Sequence, residues 1–163
     1  MTDLFDFLDR RGIPYERHDH PAVFTVEEAL RHVPPLPGGK LKNLFLCDRK
    51  GSRYFLVVVG FEKRVDLKAL ARGLGVPSLR FASPERLMER LGLEPGAVSI
   101  LGVINDRDGA VEVVMDRTVW QCDPLQCHPL VNTSTLVIPR EGVERFFAAT
   151  GHRPRVMDVP GKA

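Results

Sequence analysis

The chain has 163 residues, of which 44% are apolar, and a formal charge of +2. That length suits one domain spanning residues 1–163 with a core of its own, and no break in composition argues for a second. No apolar run approaches a membrane span and Met1-Thr2-Asp3 begins no signal peptide, while Cys47, Cys122 and Cys127 form an odd set that points to a reduced cytoplasm.

Leu4, Phe7 and Leu8 share one face of an opening helix that Gly12 ends, and Tyr15 to His18 reads as a short strand. Thr25-Val26-Glu27-Glu28 has the pattern of a capping box at the start of a second helix. The run Pro34-Pro35-Leu36-Pro37-Gly38-Gly39 is a loop that delivers the chain to Lys40. Leu41 to Cys47 and Tyr54 to Gly60 are strands joined by a turn at Arg49-Lys50-Gly51. The second of them lacks alternation, which predicts burial on both faces.

Leu67, Leu70, Ala71 and Leu74 follow helical spacing up to Gly75, and Ser83-Pro84-Glu85 opens a helix that Gly92 ends. Val98 to Ile104 and Val111 to Met115 read as strands with a turn through Asp108-Gly109 between them. Leu136 to Ile138 is a further strand, and Val143, Phe146 and Phe147 mark a last helix closed by Gly151. Helices and strands interleave, and the tight turns imply antiparallel neighbours. The fold class is therefore α/β, a mixed and largely antiparallel curved sheet with helices outside.

Several catalytic devices are excluded. There is no glycine-rich dinucleotide loop, no phosphate loop at Gly38-Gly39-Lys40, no Gly-x-Ser-x-Gly elbow and no His-Glu-x-x-His. Cys122, Cys127 and His128 lack the spacing of a zinc knuckle, so neither a metal nor a cofactor is expected. Cys127 and His128 are neighbours on an extended segment and point to opposite faces, which argues against a Cys-His dyad. His18 and His20 alternate beside the sheet, and His32 and His152 belong to helix ends. None of the four is assigned a catalytic role.

Two polar clusters remain at the mouths of apolar strands: Lys42-Asn43 before Leu44-Phe45-Leu46, and His128 through Thr135 before Leu136-Val137-Ile138. Together they describe a pocket holding one cation and one imidazole. Between residues 40 and 72 nine Lys and Arg face three Asp and Glu, a basic stretch suited to a polyanion, with Lys50, Lys63 and Lys68 as docking candidates. Gly102 is placed either for close approach of a substrate backbone or at a strand bulge.

The segments Pro21–Ala29, Lys42–Leu46, Phe81–Ser83 with Glu85–Leu87, Pro95–Ser99, Ile104–Asp106 and His128–Leu130 with Asn132 recur in an order that resembles the YbaK/prolyl-tRNA-synthetase-associated editing-domain family. Within it the chain is most similar to the free-standing deacylases that hydrolyse alanine mischarged on proline tRNA. The resemblance implies a cytoplasmic aminoacyl-tRNA deacylase that acts without a covalent protein nucleophile. Its partners would be an aminoacyl-tRNA, proline tRNA first, and prolyl-tRNA synthetase. Lys42 would be the essential basic residue, and His128 beside it would orient the substrate amine or the assisting hydroxyl, or shuttle a proton. Pro129 and Asn132 carry over beside them, and Asn43 and Thr25 join them as substrate-binding residues. Relatives with a glycine before the histidine use a backbone amide there, and this chain has Cys127. Cysteine as the hydrolysed amino acid, or a non-catalytic tRNA- or synthetase-binding module, are the alternatives.

Overall fold

The computed structural model describes residues 3–22, 27, 28, 31 and 36–162. Helix α1 (Leu4–Arg10) is capped by Asp3, whose carboxylate accepts from the Asp6 N–H at 3.1 Å, and it buries Leu4 and Leu8. Strand β1 (Glu16–Asp19) follows. The capping box lies mostly outside the described residues, Thr25 included. Strands β2 (Leu41–Asp48) and β3 (Tyr54–Gly60) make the expected hairpin. Asp48 closes its turn by accepting from the Ser52 and Arg53 N–H groups, and Gly51 takes the left-handed step at φ 68°. Helix α2 (Leu67–Leu74) stops at Gly75, and helix α3 (Pro84–Leu91) starts at Ser83, whose hydroxyl accepts from the Arg86 N–H at 3.2 Å. Between them a short strand, β4 (Leu79–Phe81), joins the edge of β2.

The segment expected as a strand from Val98 to Ile104 is instead two short 3₁₀ turns, Pro95–Ala97 and Ile100–Asn105. The Ser99 hydroxyl accepts from the Leu101 N–H at 3.1 Å, and the Gly102 N–H reaches back to the Ser99 carbonyl at 3.0 Å. Those local bonds replace a ladder, and a short apolar run buried on all sides carries no period that tells the two apart. It follows that β5 (Val111–Asp116) has no antiparallel partner across Asp108-Gly109. It lies parallel to β3. A short helix α4 (Arg117–Trp120), strands β6 (Leu125–Cys127) and β7 (Ser134–Ile138), helix α5 (Arg140–Thr150) and strand β8 (Arg155–Met157) complete the chain.

The expected mixed α/β fold is present, with its strands divided between two sheets. One has the order β4-β2-β3-β5-β8, the other β1-β7-β6. Side chains of β3 alternate between two cores. Tyr54, Leu56 and Val58 pack with the small sheet, α1, α3 and α5, while Phe55, Val57 and Val59 pack on Leu70, Ala71 and Leu74 of α2. Six of the seven β3 residues are buried, as the unalternating run predicts. His152, read as a helix-end residue, is buried. Its Nε2 lies 2.8 Å from Asp106 Oδ2 and its Nδ1 2.9 Å from Thr150 Oγ1, which ties the end of α5 to the turn before β5. Among the described residues no helix is long and apolar enough to cross a membrane.

Candidate active site

The two sheets meet at a seam made by glycines. Gly39 pairs in parallel with Leu125, donating to the Pro124 carbonyl at 2.9 Å and accepting from the Gln126 N–H at 3.0 Å. Gly38, at φ 92°, passes so close that a Cβ there would fall 2.1 Å from the Pro124 carbonyl oxygen, so only glycine fits. The buried Gln126 amide reinforces the seam by donating to the Leu36 carbonyl at 3.1 Å. Lys42 and His128 each lie three residues beyond this paired Gly39 and Leu125. Two clusters distant in sequence are thereby delivered to one junction.

His128 is fixed from both ends. Its carbonyl accepts from the Ser99 hydroxyl at 2.6 Å, and its Nδ1 lies 3.1 Å from the Ser134 carbonyl. A carbonyl only accepts, so Nδ1 carries the hydrogen and the neutral ring presents a lone pair at Nε2. The loop that makes this possible turns at Leu130, a non-glycine residue held at φ 69°, over the buried Pro129. Burial pulls the imidazole below the usual histidine range; the Ser134 hydrogen bond opposes this and the nearby His20 adds to it. The ring is therefore held neutral, with Nε2 as its accepting atom. His20 itself bonds Thr135 Oγ1 through Nε2 at 2.8 Å and the Pro21 carbonyl through Nδ1 at 2.9 Å.

The strand β2 sorts its two candidate residues to different faces. Asn43 shares the parity of Phe45 and Cys47, which pack in the core that also holds Leu125 and Cys127, so its side chain faces that core. Its Oδ1 is buried and, among the described residues, has no hydrogen-bond partner; the same is true of His18 Nε2 on β1. Lys42 shares the parity of Leu44 and Leu46, which belong to the α2 core, and its ammonium donates to the Lys63 carbonyl. Desolvation, and secondly the charge of Arg64, hold this half-buried lysine below the ordinary lysine range. Lys42 and His128 thus share the junction without bonding each other.

The other predicted residues divide clearly. Asn132 is half-buried beside Val131 and already engaged in an interaction of its own, while Thr25 lies outside the described residues. Gly102 sits in a 3₁₀ turn, not a strand, and the space beside it belongs to the core. A Cβ there would come 2.7 Å from Leu93 Cδ1, so close packing accounts for this glycine. Lys63 is not a free docking cation, because its ammonium lies 2.7 Å from the buried Asp116 carboxylate. Burial pushes the Cys127 thiol up to about 12, which keeps it protonated and unreactive. Among the described residues no three His, Cys, Asp or Glu side chains gather as metal ligands.

Sequence reasoning set aside His20, which the structure brings to Thr135 and within electrostatic range of His128. The signal was present in the alternating His18 and His20. Interpreting it required the β1–β7 register, in which His18 faces Thr135.

The sequence model of the aminoacyl-tRNA editing domain matches residues 20–146. The chain is 38% identical over 157 residues to the prolyl-tRNA synthetase associated domain-containing protein 1 of Danio rerio, covering 95% of this chain and 85% of that one. It is 36% identical over 152 residues to the prolyl-tRNA editing protein ProX of Acetoanaerobium sticklandii, covering 93% of each. Among solved structures, the hypothetical protein APE2540 superposes with a TM-score of 0.73 at 20% identity, over 97% of this chain and 99% of that one. A candidate trans-editing enzyme for prolyl-tRNA synthetase gives a TM-score of 0.69 at 21% identity, over 100% and 99%. At such identities the structural likeness speaks for the fold.

Proposed function

We infer the chemistry of the site from one premise: the chain belongs to the aminoacyl-tRNA editing domain family. The reading best supported is a trans-editing hydrolase that removes alanine from mischarged proline tRNA. The observation that carries it is the seam, where Lys42-Asn43 and His128 arrive together three residues beyond Gly39 and Leu125.

Hydrolysis of an aminoacyl ester asks for a positioned water or ribose hydroxyl, stabilisation of the developing oxyanion, and exclusion of the wrong amino acid. His128 Nε2 is the acceptor for the proton of that water or hydroxyl, with Nδ1 anchored on Ser134. The unpartnered Asn43 Oδ1 is an acceptor suited to the α-ammonium of the bound amino acid. A buried acceptor left unpaired costs about 1–3 kcal/mol, a penalty that substrate binding relieves. Lys42 gives one ammonium hydrogen to the Lys63 carbonyl and keeps two for the ester carbonyl or the adjacent phosphate. Asn132 and Pro129 shape the loop beside His128, and Thr25 completes the substrate-binding set. With Cys127 protonated, that thiol is not the nucleophile, in keeping with attack by water or the ribose hydroxyl.

Incubation of the purified protein with Ala-, Cys- and Pro-charged proline tRNA tests this directly. Loss of alanine ester with the prolyl ester untouched is the expected result. A pocket separates substrates differing by a methyl group by only about 1–3 kcal/mol through attraction, so rejection of cognate proline must be steric. Faster loss of the cysteinyl ester would move the assignment to a Cys-tRNA(Pro) deacylase. The similarity to vertebrate proteins named for association with prolyl-tRNA synthetase favours a second reading, a binding module. Tight tRNA or synthetase binding with no ester loss from any substrate is the result that selects it.

A further inference from the structure

The carbonyl that receives Lys42 is itself held by an ion pair between half-buried Lys63 and buried Asp116. Lys63 follows β3 in a turn whose own N–H reaches the Gly60 carbonyl at 3.0 Å, and its ammonium donates to Asp116 Oδ2 at 2.7 Å and to the Val159 carbonyl at 2.8 Å. Asp116, at the end of β5, is 1% exposed. Its other oxygen accepts from the Val159 N–H at 3.1 Å, and the Thr118 hydroxyl donates to Oδ2 at 3.2 Å. The chain after β8 then straps the same turn from outside. The Asp66 N–H donates to the Pro160 carbonyl at 2.9 Å, the Lys162 N–H to the Arg64 carbonyl at 2.7 Å, and Val65 pairs with Gly161.

We propose that Lys63 and Asp116 are positioning residues for Lys42: the ion pair and the 159–162 strap hold the Lys63 carbonyl still, and that carbonyl aims the ammonium. The proposal rests on the catalytic reading of Lys42 for its kinetic consequence, and its structural content is independent of it. An ammonium on a flexible four-carbon stem has many rotamers, and one fixed acceptor at its tip removes most of them. The stabilising power of a charge in a catalytic site depends on such preorganisation. Lys63 therefore acts through its main chain, while its side chain serves to hold that main chain in place. The same arrangement explains why a residue of the basic stretch is engaged with a buried carboxylate.

Lys63→Met in the full chain is the direct test, with Lys63→Arg as the conservative partner and Lys63→Met/Asp116→Leu to remove both charges at once. For a displaced catalytic charge kcat should fall roughly tenfold to a hundredfold with KM for charged tRNA little changed. Lys63→Arg, which keeps the ion pair, should restore most of the rate. In a Lys42→Ala background Lys63→Met should have no further effect, an outcome that a general loss of stability does not produce. The second readout needs no activity: per-residue acetylation by acetic anhydride should label Lys42 faster in Lys63→Met and in the double variant than in the wild type. A higher KM with unchanged kcat, effects that add to Lys42→Ala, or unaltered Lys42 labelling in folded variants would each overturn the proposal. If the wild type hydrolyses no charged tRNA, the catalytic reading fails, and the labelling comparison still decides whether the pair positions Lys42.

Discussion

The two faces of β2 treat polar groups in opposite ways. On the α2 face the charges are closed off: Lys42 is on the Lys63 carbonyl, Lys63 on Asp116, and Asp116 on Val159. On the other face, toward the core shared with the small sheet, one polar atom is left open. Asn43 Oδ1 is buried there without a partner among the described residues; His18 Nε2, likewise unpartnered, and the His128 lone pair belong to the small sheet. Buried polar groups in folded proteins are nearly always satisfied, so an exception such as Asn43 Oδ1 is a candidate contact for a ligand. On the proposed reading the closed face holds Lys42 in place and the open face offers Asn43 to the substrate, and one strand joins them through adjacent residues.

The largest effect that separates the faces is expected at Lys42. Lys42→Ala should lower deacylation by roughly 10²–10³, the scale of losing one electrostatic stabiliser of an oxyanion. Its melting temperature should stay close to the wild type, since the residue sits at a strand mouth outside both cores. Lys42→Arg should be nearly as poor, because a planar guanidinium does not replace a compact ammonium on a single carbonyl. Near-normal hydrolysis by folded Lys42→Ala would remove the closed face from the chemistry.

His128→Ala comes next, at roughly 10² if the ring transfers a proton. The sign of the pH dependence is determined by the free base. Burial and His20 hold His128 below the ordinary histidine range, so the ring stays neutral and active through neutral pH. The rate should fall only as the pH drops below that lowered value. Measuring kcat against pH should show this acid limb in the wild type and not in the mutant. A limb that persists in His128→Ala would reduce His128 to orientation.

Asn43→Leu sharpens the comparison from the other side. Removing an unpaired buried acceptor should leave the free protein as stable or more stable by about 1 kcal/mol, while weakening substrate binding about tenfold. Chemical denaturation and KM report the two halves, and a destabilised protein with unchanged KM would show that Asn43 is merely structural. Smaller still are the effects at the docking stretch. Neutralising Lys50 or Lys68 should lower affinity alike for Ala- and Cys-charged tRNA, with each lost phosphate contact reducing the slope of log affinity on log salt by about 0.7–0.9. Cys127→Ser should keep the rate, as a thiol raised to about 12 is no nucleophile.

Much of this was legible in the residues. The unalternating run at Tyr54–Gly60, the cap at Ser83 and the stops at Gly75, Gly92 and Gly151 act through neighbours along the chain, so local pattern determined those elements. The ordered motifs around Lys42 and His128 likewise determined the family. Tertiary structure decided what local pattern leaves degenerate. An apolar run such as Ile100 to Ile104 satisfies a strand and a buried 3₁₀ turn equally, and its packing against Leu91 and Leu93 around Gly102 chose the turn. Alternation says that Lys42 and Asn43 face opposite ways but not which way each faces. That followed from α2 covering one side of β2 and the small sheet the other. The bonds Lys63–Asp116, His152–Asp106 and His20–Thr135 join residues far apart in the chain, and a side chain's partner at such a distance is set by strand register and sheet order, which only the folded molecule possesses.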